Sequence, residues 1–421
     1  MRSLLAIVSL ELKALVRSKA VAMLTGASVL WMLAFPHLVK GDGTPEGARE
    51  LYVHFSLGGV FALLVVALLA SATGSLARER AEKRLQLTMV RPVRGTALVF
   101  GKIAAHVAVG AFVLAVACAI LAWKADCSRP CSHVLSPVLP SPREEAQAMY
   151  EAAMKDPRTP EAVRRTKKET VLRFLANRAI DRYQAIATNA TASWTFDTAA
   201  LAARPAALAV RMRFTNQYEM RDEVRGEFAL GGFRGGVSNI TQAVLKVPLH
   251  AADGGLAGST LTFRNDGASS LMLRPRKDIN LLLPADSFAR NLVRAYAELV
   301  AILALLVSAG LFLSAGLGRP VALFVAFVAL VVSEMSPSVI EQYPDELETD
   351  RIDRIGLVVT RMAAEVTRPV SSASPLEALS KDECVEPGAA ARLVLIDLLA
   401  VPLLLSLAGA LVLPRKQDDV A

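Results

Sequence analysis

The sequence is poor in the residues and motifs from which enzymes build metal and nucleotide sites. Its four cysteines are scattered, and its five histidines show no HExxH or paired-cysteine spacing, so we expect no metal site. A phosphate-binding loop is missing, because residues 95–103 have one residue too many between the glycines and Ile103 where a hydroxyl is required. No Gly-x-Ser-x-Gly elbow occurs either. We therefore predict no catalytic residue and no cofactor in this chain.

Apolar residues, in contrast, are abundant. They make up 53% of the 421 residues, and the mean hydropathy of +0.40 is too high for an ordinary soluble protein. The net charge of +8 comes largely from basic residues beside apolar runs. That placement sets the orientation of membrane spans, so we expect a lipid membrane as partner and no nucleic acid.

The apolar runs predict a polytopic α-helical protein of the inner (plasma) membrane with six spans and both termini in the cytoplasm. Residues 1–20 form an amphipathic entry helix, and Lys102 is expected to reach out of the third span to the interface. The predicted regions are spans one to three in 21–123, spans four to six in 290–413 with an outer segment at 337–388, and a cytoplasmic tail at 414–421.

Residues 124–289 contain no run long enough to cross a membrane, so they predict an extracytoplasmic domain between spans three and four. Its pattern is α+β: helices at 144–155 and 160–187, then short alternating runs typical of a small antiparallel sheet or sandwich. The sequence Asn265-Asp266-Gly267 predicts a hairpin turn.

Three cysteines fall on the predicted outer side, where a disulfide can persist. Cys127 and Cys131 are close enough to pair with each other, either could reach Cys384, and free thiols remain the alternative.

A charged stretch at 75–97 lies between the second and third predicted spans. Its clustered basic residues mark the cytoplasmic side, and its leucines give it an apolar component before Pro92 ends any helix. The residues of interest in it are Arg78, Glu79, Glu82, Leu85, Leu87, Arg91, Pro92, Val93 and Arg94.

This stretch resembles the region after the second span in class-two ABC exporter permeases, the membrane subunits that work with a separate ATPase. The resemblance is carried by the two acidic residues, the Leu-x-Leu pair, the Arg-Pro-Val-Arg run and Gly101-Lys102 that follows. One departure is Lys83-Arg84, where family members often have Gly-Thr. The resemblance covers the membrane parts and leaves the outer domain aside.

The resemblance implies that the nine residues of interest dock an ABC ATPase, which would carry ATP and Mg²⁺. It also implies six spans per subunit and a second permease subunit, identical or related, so that the pair exports a substrate. A rival hypothesis is a polytopic membrane anchor that displays the outer domain as a sensor or adhesion module without transport.

Three carboxylates lie within predicted spans. An ionisable side chain raises the free energy of a span, so each of the three is a candidate functional residue. They are Glu298, Glu334 and Asp397, each placed near the outer end of its span. A side chain reaching headgroup water is the alternative interpretation of each.

Overall fold

The computed structural model describes residues 2–38, 45–83, 94–124, 130–157, 159–197, 208–216, 222–241, 244–251, 259–342 and 375–415. The chain forms two compact units: a helical unit, Met1–Cys131 with Asp286–Ala421, and a sheet unit, Ser132–Ala285.

Helices dominate the first unit and open the second. In chain order the helices are α1 (Arg2–Arg17), α2 (Ala20–Leu38), α3 (Pro45–Ala81), α4 (Gly95–Lys124), α5 (Pro142–Lys155), α6 (Glu161–Arg165), α7 (Lys168–Ile180), α8 (Phe288–Gly316), α9 (Arg319–Gln342), α10 (Pro375–Ser380), α11 (Pro387–Leu393) and α12 (Val401–Arg415), with a π-helix (Val394–Ala400) joining the last two.

In the described part of the chain, five helical segments are long and apolar enough to cross a membrane. They are Ala20–Leu38, Gly47–Arg80, Gly95–Lys124, Phe288–Gly316 and Ala390–Val412. The remaining predicted span, the fifth along the chain, corresponds to α9, whose apolar stretch, Arg319–Val331, is shorter than these. The fold is thus that of a protein with long apolar helices and a separate sheet.

The core of the helical unit lies among α3, α4 and α8, which pack along most of their lengths. Glycines permit this close approach at two points. A Cβ at Gly110 of α4 would lie 2.7 Å from Leu68, and one at Gly310 of α8 would lie 2.9 Å from Leu69. Any larger residue there would require Leu68 or Leu69 of α3 to move.

The second unit is built on a curled antiparallel sheet. The main sheet has the order β1-β10-β4-β7-β6-β5-β8-β3, and β2 pairs separately with β9. The strands are β1 (Pro130–Leu135), β2 (Gln184–Ile186), β3 (Thr191–Thr195), β4 (Leu208–Arg213), β5 (Glu223–Leu230), β6 (Phe233–Ile240), β7 (Val244–Ala251), β8 (Thr260–Asn265), β9 (Leu271–Leu273) and β10 (Ile279–Ser287).

Alternating residues of these strands fill one core. Phe263 lies at its centre, with ring centroids 4.5 Å from Phe228 and 4.9 Å from Phe214. The hairpin between β5 and β6 turns through Gly231, whose φ of 56° is a left-handed conformation that glycine adopts without steric cost.

Two details of the sheet unit differ from the sequence prediction. The helix expected over 160–187 is two helices and a strand, because α6 ends at Arg165, α7 begins at Lys168, and β2 follows. The crowded cations of Arg164 to Lys168 repel one another along a continuous helix. The predicted hairpin at Asn265 is also wrong, since β8 and β9 belong to different sheets and the Asn265 amide donates to the Ile186 and Ser269 carbonyls.

A disulfide joins Cys131 to Cys384 within the helical unit. The chain beside Cys384 is held by polar contacts as well. Arg49 of α3 donates to both oxygens of Asp382, at 2.5 and 2.7 Å. The side chain of Asn291 donates to the Glu383 carbonyl and accepts from the Val385 N–H, at 2.7 and 2.8 Å. Residues 382–385 are therefore fixed to α3, α8 and the start of β1.

Because this disulfide closes a loop of 253 residues, its loss should destabilise the folded chain. We expect Cys384→Ser to lower the free energy of unfolding by about 2–4 kcal/mol, measured by thermal unfolding in detergent. Reductant should destabilise the wild type similarly and leave the triple variant Cys127→Ser/Cys131→Ser/Cys384→Ser unchanged, because its one remaining cysteine, Cys118, has no thiol to pair with. The prediction is contradicted if alkylation shows that the thiols of the wild type are reduced and yet its thermal unfolding is unchanged.

Candidate functional site

A buried lysine holds three helices of the helical unit together. Lys102, in the second turn of α4, is only 1% exposed. Its Nζ donates to Glu79 Oε1 of α3 at 2.7 Å, to Ser75 Oγ of α3 at 2.9 Å and to Glu11 Oε2 of α1 at 3.0 Å. These three acceptors satisfy all three protons of the ammonium group.

The network continues along the same helix faces. Ser75 Oγ donates to Glu11 Oε1 at 3.0 Å, and His106 Nδ1 lies 2.8 Å from the Lys102 carbonyl. A carbonyl only accepts, so Nδ1 carries a proton, and Nε2 lies within hydrogen-bond distance of Ser71 Oγ, at 3.1 Å. We call the six residues the Lys102 cluster: Glu11, Ser71, Ser75, Glu79, Lys102 and His106.

Helical spacing explains why these residues meet. Ser71, Ser75 and Glu79 recur every four residues on α3, as do Lys102 and His106 on α4, so each set lies on one helix face. The cluster carries one cation and two carboxylates. Burial raises the pKa of Glu11, but the Lys102 ammonium and its hydrogen bond lower that pKa by more. Glu11 is therefore ionised and paired.

The end of α3 is also attached to α8. The Arg80 guanidinium donates to the Ser314 carbonyl and, at 3.4 Å, to the Leu317 carbonyl, both at the carboxyl end of α8. These carbonyls lack partners within the helix, so a cation is stabilising there. The last two turns of α3 thus contact α1, α4 and α8 through charged side chains.

The predicted docking residues fall into three groups. Arg78, Glu82 and Arg94 are exposed, whereas Glu79 is half-buried and paired with Lys102. The other predicted residues, Leu85, Leu87, Arg91, Pro92 and Val93, lie outside the described part of the chain.

The predicted intramembrane carboxylates are also partly located. Glu298 of α8 is 6% exposed and Asp397 of the π-helix is 3% exposed. Glu334 belongs to α9, but its side chain lies outside the described residues, as does Cys127. Among the described residues, no group of three or more His, Cys, Asp or Glu is placed to hold a metal ion.

Sequence reasoning missed the Lys102 cluster. It placed Lys102 at the membrane interface with its ammonium in water, whereas the structure buries the side chain against two carboxylates. The usable signal was Lys102, the one Asp, Glu, Lys or Arg residue in the apolar stretch 95–123. An isolated charge in such a stretch needs a partner of opposite sign.

The sheet unit has a cleft of about 450 Å³ beside α5 and α7. Glu145 lies at its edge and accepts from Arg182 at 2.9 Å and from Arg276 at 3.0 Å. Burial raises the pKa of Glu145, but the hydrogen bonds and charges of the two arginines lower that pKa by more. Tyr183 and Gln184 also line the cleft.

Comparisons with protein-family models, with curated proteins and with solved structures gave no match.

Removing the Lys102 ammonium should leave two partly buried carboxylates unpaired. We expect Lys102→Met to lower the free energy of unfolding by about 3 kcal/mol, measured by thermal unfolding in detergent. Lys13→Met, at an exposed position of α1, should change it by less than about 0.5 kcal/mol. The double variant Lys102→Met/Glu11→Gln should recover part of the loss, and additive effects would show that the pair is not coupled.

The Glu145 contacts should respond to acid. Folding lowers the pKa of Glu145. The contribution of these contacts to the free energy of unfolding is therefore complete above the unfolded carboxyl pKa of about 4.3, and it is lost as the pH falls through the folded pKa. We expect Glu145→Gln to speed hydrogen exchange in α5 at neutral pH, because the free energy of opening the helix should fall by about 1 kcal/mol or less. In strong acid the substitution should have no effect. Glu151→Gln, on the exposed side of α5, is the control. An equal effect of both substitutions would contradict the pairing.

Proposed function

We propose that this chain is the membrane subunit of an ATP-driven transporter of the class-two ABC exporter permease type. The observation that carries the proposal is the Lys102 cluster, because it joins the elements on both sides of the docking stretch. The described part of α3 and the turn after it end at residue 83, and α4 begins at Gly95. A push on the intervening residues would be transmitted through Glu79 and Lys102 to three helices.

The length of α3 supports this role. Its 37 residues extend about 55 Å at about 1.5 Å per residue, whereas the hydrocarbon core is about 30 Å thick. A helix this long projects beyond the membrane, and Arg78 and Glu82 are exposed on its end. A soluble ATPase carrying ATP and Mg²⁺ could reach that end and move α3, α4 and α1 as a rigid body.

The orientation follows from the two ends of α4. Lys102 lies near its first residue, and Cys131 comes seven residues after its last, Lys124. Disulfides persist in oxidising compartments, so we place the Cys131–Cys384 bond outside and the Lys102 cluster inside. With six spans, both termini are then cytoplasmic and the sheet unit is extracytoplasmic. A second permease subunit, identical or related, completes the transporter.

The rival function is a membrane anchor that displays the sheet unit as a sensor or adhesion module. The observation that favours it is that the sheet unit forms a compact body with a core of its own. In that case the stretch 75–97 only sets the orientation of the spans, and no ATPase binds.

Substitution of the docking leucines distinguishes the two functions. We expect Leu85→Asp/Leu87→Asp to abolish co-purification with the ABC ATPase encoded beside this chain, because charges would spoil an apolar contact without altering a span. Gln86→Asp adds a charge between the two leucines and should retain the ATPase. Binding is measured as the ratio of the two subunits after solubilisation in mild detergent.

Thermal unfolding of each variant, compared with that of the wild type, shows that the chain is still folded. Retention of the ATPase by the double variant would place the docking surface elsewhere. Failure of the wild type to bind the ATPase would favour the membrane anchor.

A further inference from the structure

Two carboxylates are buried in the apolar part of the helical unit without a salt bridge in the described residues. Glu298 lies on α8, and Asp397 lies in the π-helix of the last candidate span. Asp397 Oδ2 is buried and has no hydrogen-bond partner among the described residues. Such groups are costly in an apolar environment, so each needs a specific explanation.

Asp397 faces the protein and not the lipid. Within residues 391–400 it is the only buried residue, and its neighbours Ile396 and Leu399 are exposed. The buried face of the span continues through Pro402, Ser406 and Gly409. Outside its own span the π-helix packs mainly against α8, so the buried side of the π-helix, on which Asp397 lies, faces that helix.

Glu298 occupies the matching region of α8. Asn291, seven residues earlier and hence on the same face, bonds to Glu383 and Val385 just before α11. Glu298 is ten residues from the start of α8, and Asp397 is ten residues from the start of α11. At about 1.5 Å per residue, both lie roughly 15 Å below the outer helix ends.

Proline explains why the helix is widened beside Asp397. The N–H of Val401 bonds to the Ile396 carbonyl, five residues back. The next bond of that pattern would join residue 402 to the Asp397 carbonyl, but Pro402 has no N–H to donate. The π-helical pattern therefore supplies no backbone donor to that carbonyl.

Among the residues that the structure describes, no cation on the packed elements forms a salt bridge with these carboxylates. Arg290 and Arg294 of α8 are paired with Asp286, and Arg392 of α11 is exposed. On α8 itself, Tyr296 lies two residues before Glu298 and donates its hydroxyl to the Ala111 carbonyl at 3.1 Å. The other titratable groups on the described parts of the packed elements lie towards the helix ends or in the Lys102 cluster, except Cys118 in the middle of α4. They are Arg49, Glu50, Tyr52, His54, Arg78, Glu79, Arg80, Lys102, His106, Cys118, Lys124, Arg319 and Glu377, with Lys381 just after α10.

We propose that Glu298 and Asp397 form a proton-binding site in the interface between α8 and the last span. Both carboxyl groups hold a proton while this interface is closed, because an unpaired carboxylate would be far less stable there than the neutral acid. A protonated carboxyl group can donate to a backbone carbonyl of the widened turn. Movement of the last span away from α8 would admit water and release the protons. The site does not depend on an ATPase partner.

A hydrophobic carbodiimide tests the proposal on the full chain in lipid nanodiscs. Dicyclohexylcarbodiimide reacts with a protonated carboxyl group in an apolar site: the acid O–H adds across a C=N bond, and the acyl group then migrates to nitrogen as a stable N-acylurea. We expect adducts at Glu298 and Asp397, located by peptide mass spectrometry, that disappear as the pH is raised. Glu298→Gln and Asp397→Asn should each lose only their own adduct.

Glu169, an exposed carboxylate of α7, is the matched control. It should react with a water-soluble carbodiimide and amine but not with the hydrophobic reagent, and Glu169→Gln should leave the two buried adducts unchanged. Absence of adducts at both buried positions at every pH would overturn the proposal. Protection of both positions by sodium at constant pH would also overturn it, since the site would then bind a metal cation.

Discussion

The ion pairs of Lys102 are the interaction on which the arrangement of α1, α3 and α4 depends. An ammonium group buried in an apolar helix bundle is tolerated only when carboxylates reach it. Glu11 and Glu79 supply them from two other helices, and both distances are within 3.0 Å. Because each partner comes from a different helix, moving any one helix breaks a charged contact, so these helices move together.

The two ends of the helical unit are stabilised in different ways. At one end, charged side chains join α1, α3 and α4, and Arg80 closes the end of α8. At the other, a disulfide and the amide of Asn291 fix residues 382–385. Among the described residues, the covalent bond therefore lies at the end where Arg49 and Asp382 also pair, and the other end is joined by side-chain contacts alone.

The sequence predicted the long apolar helices and the separate α+β region, because hydropathy and alternation depend on local pattern alone. It did not predict how the strands pair: Asn265-Asp266-Gly267 matched a hairpin, yet Asn265 bonds across to the Ile186 carbonyl. It also misplaced Lys102, since burial of a lysine depends on two carboxylates distant in the chain. Pairwise contacts of this kind leave no mark in a local window. Cys131 and Cys384 were proposed as one of several pairings, because spacing cannot choose among them.

The buried and exposed faces of the last span differ in which side chains they can accept. Only a narrow stripe through Asp397, Pro402, Ser406 and Gly409 is covered by protein, while Leu403, Leu404, Leu407 and Leu411 are exposed. Any large apolar side chain can occupy those exposed positions, so their identities drift freely over evolutionary time. The helix α8, enclosed on most sides, has no such freedom. Distant descendants of this chain should therefore be traceable through α8 and the stripe long after the rest of the last span has diverged.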